Sequence, residues 1–351
     1  FLITASLSLS SYISSFALAA PGSENQNQNQ QSVSPQPESA SPQPVASDTD
    51  APDVNTTDNS DKSGNQEDIS EDISADYRQF PVFGSRLAVW FVGQLHLMFA
   101  AFILGVPIFA VIVEFIGIKT KKPRYDRMAK EFTKLTMAAF STTAILGALL
   151  VFLFVGFYPE FFSFLSGVFH NAFWVYALLF FGETFMLYLY RYSWDKLKDN
   201  KIRHLTYGIV LNIFGIAVMV MANSWVSFMI SPAGIDDNGK LLSLFEAITN
   251  FTWMPLNIHR FIANICFGGA IVAAFASFKF LTAGSTAEKA YYDWEGYIGN
   301  FIAISAFIAL PFAGYLLTKE IYEYNQQLGI SLMGGFLSWL WIIQAVLIGS
   351  L

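Results

Sequence analysis

Seven apolar runs, near residues 86–114, 132–157, 170–193, 206–230, 258–282, 298–318 and 330–351, dominate the chain after its first fifth. Each is long enough to cross about 30 Å of hydrocarbon at about 1.5 Å of helix rise per residue. A soluble helix turns a polar face to water, and these runs have none to turn. In lipid the backbone must satisfy its own hydrogen bonds, so the runs are read as helices. The expected fold is an all-α integral membrane bundle of at least seven transmembrane helices, cut short at its C-terminus. Hydrophobic residues are 54% of the chain and charged residues 13%, against roughly 25% charged in soluble domains.

The N-terminal fifth differs. Residues 1–20 are apolar and end in Ala17-Leu18-Ala19, with small residues where a signal peptidase cuts. This reads as a signal peptide whose basic n-region is missing, the alternative being an uncleaved anchor. Residues 21–76 are rich in Gln, Asn, Ser, Pro, Asp and Glu. Too little apolar surface is available there to offset the entropy of ordering, so a disordered periplasmic linker is expected. Most of the acid behind the net charge of −7 lies in this tract, so the charge says little about partners of the bundle. Residues 77–351 form the expected bundle. A start at Phe1 and an end at Leu351 inside an apolar run lead us to expect a fragment.

The connections set an orientation. Lys119, Lys121, Lys122, Arg124, Arg127, Lys130 and Lys134 lie between the first two runs or at the start of the second, and Arg191, Lys196, Lys198, Lys201 and Arg203 at the end of the third or between it and the fourth. The opposite connections carry Asp236, Asp237, Glu246, Glu320 and Glu323. Positive residues stay in the cytoplasm, which places the N-terminus outside and agrees with an exported leader.

Ionisable groups within a span cost about 2.5–3.5 kcal/mol each on insertion scales and therefore call for a reason. His96 stands two to three turns into the first run. A neutral imidazole held through one nitrogen can offer the other to iron; a helix-to-helix hydrogen bond is the plainer reading. His259 opens the fifth run at a similar outer level, as a second ligand or as an interfacial histidine. The one cysteine, Cys266, excludes a thiolate-rich site within the chain. Two histidines on different helices suit haem better than zinc, which gathers three or four ligands. Gly268-Gly269 gives the fifth run a small face for a macrocycle or a neighbouring helix. Glu183, mid-span in the third run, is placed to carry protons or to bond a neighbouring helix. Glu114 ends the first run as a boundary residue, and His170 and His204 are read as interfacial.

These residues stand in a recognisable order. Arg86-Leu87, His96, Gly105 and Glu114 on the first run, Glu183-Thr184-Phe185 and Trp194-Asp195-Lys196-Leu197 on and after the third, Ala222-Asn223-Ser224-Trp225 ending the fourth, and His259 opening the fifth together resemble subunit I of the cytochrome bd-type quinol oxidases over residues 84–318. The resemblance implies haem b (two or more) with haem d as a further cofactor, quinol oxidation near the outer face, reduction of oxygen, and a second membrane subunit. It implies that His96 is an axial ligand at the oxygen-reducing centre, that His259 and Met333 ligate the low-spin haem, and that Glu183 and Glu114 lie on the proton route. The chain also departs from the pattern. Val175 and Val151 stand where the family has glutamates, no arginine neighbours Met333, and residues 319–329 replace a long hydrophilic quinol loop. The remaining haem ligand, a carboxylate, is expected beyond Leu351.

Three readings follow. One is a haem subunit of a terminal oxidase in the bacterial inner membrane, taking electrons from quinol or a periplasmic carrier. The second is a haem electron-transfer subunit that exchanges electrons with quinone or a periplasmic cytochrome and leaves oxygen untouched. The third is a proton-coupled transporter, for which an inverted repeat or broken helix pair is the expected mark; the sequence offers neither. Nucleic acid is not an expected partner.

Overall fold

The computed structural model describes residues 78–82, 84–334 and 338–350. The leader and polar tract expected over residues 1–20 and 21–76 lie outside them. Six helices among the described residues are long and apolar enough to cross a membrane, and the protein is an all-α, multi-pass membrane bundle.

α1 spans Gly84–Thr120, α2 Pro123–Phe157 and α3 Pro159–Tyr192. α4 spans Lys201–Phe228, the short α5 Leu244–Ile248, α6 Trp253–Thr282 and α7 Thr286–Tyr324. α8 (Gln326–Gly334) and α9 (Ser338–Gly349) occupy the seventh apolar run.

Local chemistry sets the breaks. α2 and α3 both begin with proline at their first position, where a missing N–H costs nothing. Only Tyr158 separates them, so the chain reverses almost within one residue. Phe169 then leaves helical geometry at φ −103°, ψ 18°, kinking α3 just before the span expected to begin at residue 170. Asn200, Ser243 and Ser285 cap α4, α5 and α7 by accepting backbone N–H bonds.

Several helices outrun the apolar runs that announced them. α1 continues to Thr120, α2 begins at Pro123 and α7 at Thr286, because Lys, Arg and Glu are good helix formers that extend a helix past the hydrocarbon. α1, with 37 residues, is about 55 Å long. The stretch 319–329, read as a connecting loop, is also helical: α7 runs to Tyr324 and α8 starts at Gln326.

α6 is the centre of the packing. A Cβ at Gly105 of α1 would lie 2.1 Å from the Asn264 carbonyl oxygen, and one at Gly268 would lie 2.8 Å from the Gly105 carbonyl carbon. On its other side, a Cβ at Gly269 would lie 2.6 Å from the Ala303 nitrogen of α7. The small face at Gly268-Gly269 thus receives neighbouring helices on both sides. Small residues let backbones meet where lipid gives no hydrophobic drive to associate.

The bundle has two ends. The basic end holds the α1–α2 and α3–α4 connections; the far end holds the starts of α1, α3 and α6.

Candidate functional site

Three of the expected side chains share one device: each lies against a glycine of a neighbouring helix. A Cβ at Gly147 of α2 would stand 2.9 Å from His96 Cε1. A Cβ at Gly215 of α4 would stand 3.1 Å from Glu183 Oε1. A Cβ at Gly314 of α7 would stand 3.5 Å from His259 Cε1. Polar groups are thereby seated inside the bundle with no side chain on the facing helix to displace them.

His96 is half-buried, with Nδ1 3.2 Å from the Thr143 carbonyl oxygen of α2. A carbonyl only accepts, so Nδ1 carries the proton and Nε2 keeps its lone pair. Thr143 is itself buried, and its hydroxyl bonds back to the Ala139 carbonyl at 2.9 Å. The imidazole is therefore held in the tautomer that can ligate through Nε2.

His259 is 5% exposed, one residue before Arg260. The Arg260 Nη1 donates to Asn223 Oδ1 of α4 at 2.7 Å, and Asn223 Nδ2 donates to Asn257 Oδ1 at 2.7 Å. Asn223 is fully buried. Arg260 lies within electrostatic reach of His96, His259 and Tyr176. Arg260, beside His259 on α6, is thus tied to Asn223 of α4.

Glu183 is 2% exposed, and its Oε2 has no hydrogen-bond partner among the described residues. It lines a narrow crevice, about 290 Å³ with its open side included, together with Pro107, Asn212, Gly215, Met219 and Asn264. Asn212 Nδ2 donates to the Gly208 carbonyl at 2.8 Å and Asn264 Nδ2 approaches Met219 Sδ at 3.2 Å. The enclosed space suits about one water molecule.

Glu114 lies apart from these, towards the basic end, and it is no boundary residue. It is 2% exposed, with Oε1 2.6 Å from His204 Nδ1 and Oε2 accepting the Tyr190 hydroxyl at 2.7 Å. His204, expected at an interface, is 3% exposed and directs Nε2 to the Tyr190 carbonyl at 2.9 Å. The correction has a simple cause: the helices continue past the apolar runs, so residues at the edge of a run are inside the bundle. His170 is exposed on α3, in keeping with its interfacial reading. Met333 belongs to α8, and its side chain lies outside the described residues.

Sequence reasoning passed over Arg260, Asn257, Tyr176 and Tyr190. Arg260 had a usable signal, being a guanidinium in an apolar run beside a flagged histidine. A second buried acid was also missed. Glu295 of α7 is fully buried, and neither carboxylate oxygen has a hydrogen-bond partner among the described residues, while the nearby Tyr291 hydroxyl donates to Glu131 Oε2 at 3.4 Å. It sits beside Glu131 and Arg127 of α2, the latter stacked 4.0 Å from the Tyr291 ring.

Among the described residues no three His, Cys, Asp or Glu side chains converge as a metal cage would require. A metal at His96 or His259 would have to bring further ligands with it, as a porphyrin does. One imidazole with its tautomer fixed, a second seated over Gly314, an unsatisfied Asn257 Nδ2 and a nearby guanidinium form a donor set that fits a haem.

Comparison with known proteins agrees. The profile of the cytochrome bd terminal oxidase subunit I family matches residues 85–338. The chain is 27% identical over 241 residues to a putative cytochrome bd menaquinol oxidase subunit I of Bacillus subtilis (strain 168), covering 66% of this chain and 53% of the relative. It is 25% identical over 237 residues to the cytochrome bd ubiquinol oxidase subunit 1 of the same organism, covering 65% and 48%. It thus spans about half the length of the curated relatives it matches. The bd oxidase structure from Geobacillus thermodenitrificans shares the fold, with a TM-score of 0.63 at 22% identity, over 69% of this chain and 56% of that one. With the family profile covering most of the described bundle, the chain belongs to the cytochrome bd terminal oxidase subunit I family.

Proposed function

We propose that this chain is the haem-carrying subunit of a cytochrome bd-like terminal oxidase of the bacterial cytoplasmic membrane, passing electrons from quinol to oxygen with proton uptake from the cytoplasm. The observation that carries the reading is the His96–Thr143 contact, which leaves Nε2 as the ligating nitrogen. His96 and His259 hold haem iron, with Met333 as the second ligand of the low-spin haem. The haems, two or more of b type with a d haem at the oxygen site, supply one-electron transfer and oxygen binding when present.

Glu183 holds a proton at its carboxyl, and the crevice beside it carries water. Glu114 and His204, with Oε1 and Nδ1 2.6 Å apart, lie on the proton route nearer the basic, cytoplasmic end. The N-terminus lies outside, with residues 1–20 as its leader and 21–76 as a tether, and α8 with α9 forms a seventh span. A second membrane subunit completes the enzyme.

One observation favours a second reading, haem electron transfer without oxygen reduction. Val151 and Val175, where the family has glutamates, are both exposed on the outer surface of the described bundle. Without those two acids the proton supply to an oxygen site is thinner.

A reduced-minus-oxidised visible spectrum of the purified full-length protein, with pyridine extraction, tests the reading. Low-spin b bands with a far-red d band support an oxidase, and cyanide-sensitive oxygen uptake with quinol separates it from the second reading. A protein without haem overturns both.

A further inference from the structure

Arg260 is the anomaly of the bundle. Among the described residues it forms no ion pair, whereas Lys130, Lys201 and Lys319 at the helix ends each meet a carboxylate. A guanidinium has five N–H donors, and here only Nη1 reaches an acceptor, the Asn223 amide oxygen. A half-buried charge on a membrane-spanning helix without a counter-charge is costly to hold.

The surroundings repeat the pattern. Asn223 turns its oxygen to Arg260 and its amide to Asn257, whose own Nδ2 is buried without a partner. Donors therefore accumulate on this side of α6: four guanidinium N–H groups and one amide, with no acceptor among the described residues. Such a set is complementary to a carboxylate, which accepts on two oxygens and pairs with arginine through two parallel bonds. Glu183, a buried acid of α3, makes no ion pair with Arg260 among the described residues.

We infer that Arg260, supported by Asn223 and Asn257, binds a carboxylate side chain of a haem held by the neighbouring histidines. This rests on the haem-binding reading above and adds to it a residue that fixes the macrocycle by its rim and not by its iron. Haem carries carboxylates at one edge, and Arg260 directly follows His259, the proposed ligand of the low-spin haem, so one rigid cofactor can meet both residues. Arg260 is a positioning residue for the cofactor.

The test compares full-length wild type with Arg260→Gln, Arg260→Lys and Asn223→Asp. The readouts are haem retained per polypeptide, the reduction potential of the retained haem and the phosphorus of co-purified lipid. Arg260→Gln should weaken haem retention about ten- to a hundredfold, the loss of a charge-assisted hydrogen bond. Its remaining haem should titrate at a lower potential, because a lost positive charge favours the ferric form. Arg260→Lys should lie between, as a point charge without the fork. Asn223→Asp keeps the arginine but gives it a carboxylate of the protein's own. It should displace the haem carboxylate and weaken retention likewise, and it carries the test if Arg260→Gln does not insert. Unchanged haem content and potential in Arg260→Gln overturn the inference alone. So does loss of bound lipid phosphorus at constant haem, which would assign the site to a lipid phosphate. A wild type without haem overturns the underlying reading as well, and the two failures are told apart by the wild-type spectrum.

Discussion

Glu114 Oε1 and His204 Nδ1 lie 2.6 Å apart inside the bundle, tying α1 to α4, while the Tyr190 hydroxyl closes on Glu114 Oε2 from α3. Because His204 Nε2 faces a carbonyl, it must carry a hydrogen, so the only mobile proton of the pair lies between Nδ1 and Oε1. Replacing His204 by Ala strands the carboxyl. We expect a loss of about 3–5 kcal/mol, as for other broken buried pairs, measured by unfolding in detergent. The double variant Glu114→Leu/His204→Leu should recover most of it.

The glycines facing the histidines differ in how much room they leave. At Gly147 a methyl group would come within 2.9 Å of the His96 ring, whereas at Gly314 it would stand 3.5 Å from His259, an ordinary contact. Gly147→Ala should therefore move His96 off Thr143 and lower haem content, while Gly314→Ala leaves the spectrum unchanged. Pyridine haemochrome assays of the two variants provide the comparison. Equal spectra would show that the His96 seat is not needed.

Glu183→Gln keeps shape and removes the exchangeable acid. Quinol-driven oxygen uptake should fall by about a hundredfold or more, the usual weight of a positioned proton-transfer group. Haem content should stay at the wild-type level, since the crevice around the side chain contains no proposed ligand. Full turnover would remove Glu183 from the proton route.

His259→Ala should abolish the low-spin haem signal and leave the protein inserted, because the imidazole packs over Gly314 and a methyl group is accommodated there. A spectrum identical to wild type would take His259 out of the ligand set.

Gly105→Ala meets backbone, which cannot rotate away: the new Cβ would fall 2.1 Å from the Asn264 carbonyl oxygen. Separation of α1 from α6 should cost about 1–3 kcal/mol or more, as overpacking does. Lower thermal stability with parallel haem loss is the expected result.

Much of this was legible in the sequence. Uniformly apolar runs dictate membrane helices, and the depth of His96 and Glu183 within them follows from counting residues. The ends were less legible, because hydropathy reports where lipid stops and not where the helix stops; Glu114 and His204 were misplaced for that reason. Partnership was hidden altogether. That His204 meets a residue 90 positions earlier, or that Arg260 reaches Asn223, depends on which helices become neighbours, and apolar runs carry no record of that.

The crossings at Gly105, Gly268 and Gly269 have a last consequence. Where main chains touch with no side chain between them, neither helix can roll or slide without a collision, so α6 is held against α1 and α7 at these crossings. A seam of this kind resists shear. Such a scaffold would hold the redox centres proposed above at constant spacing, as electron tunnelling, steeply dependent on distance, demands of a wire.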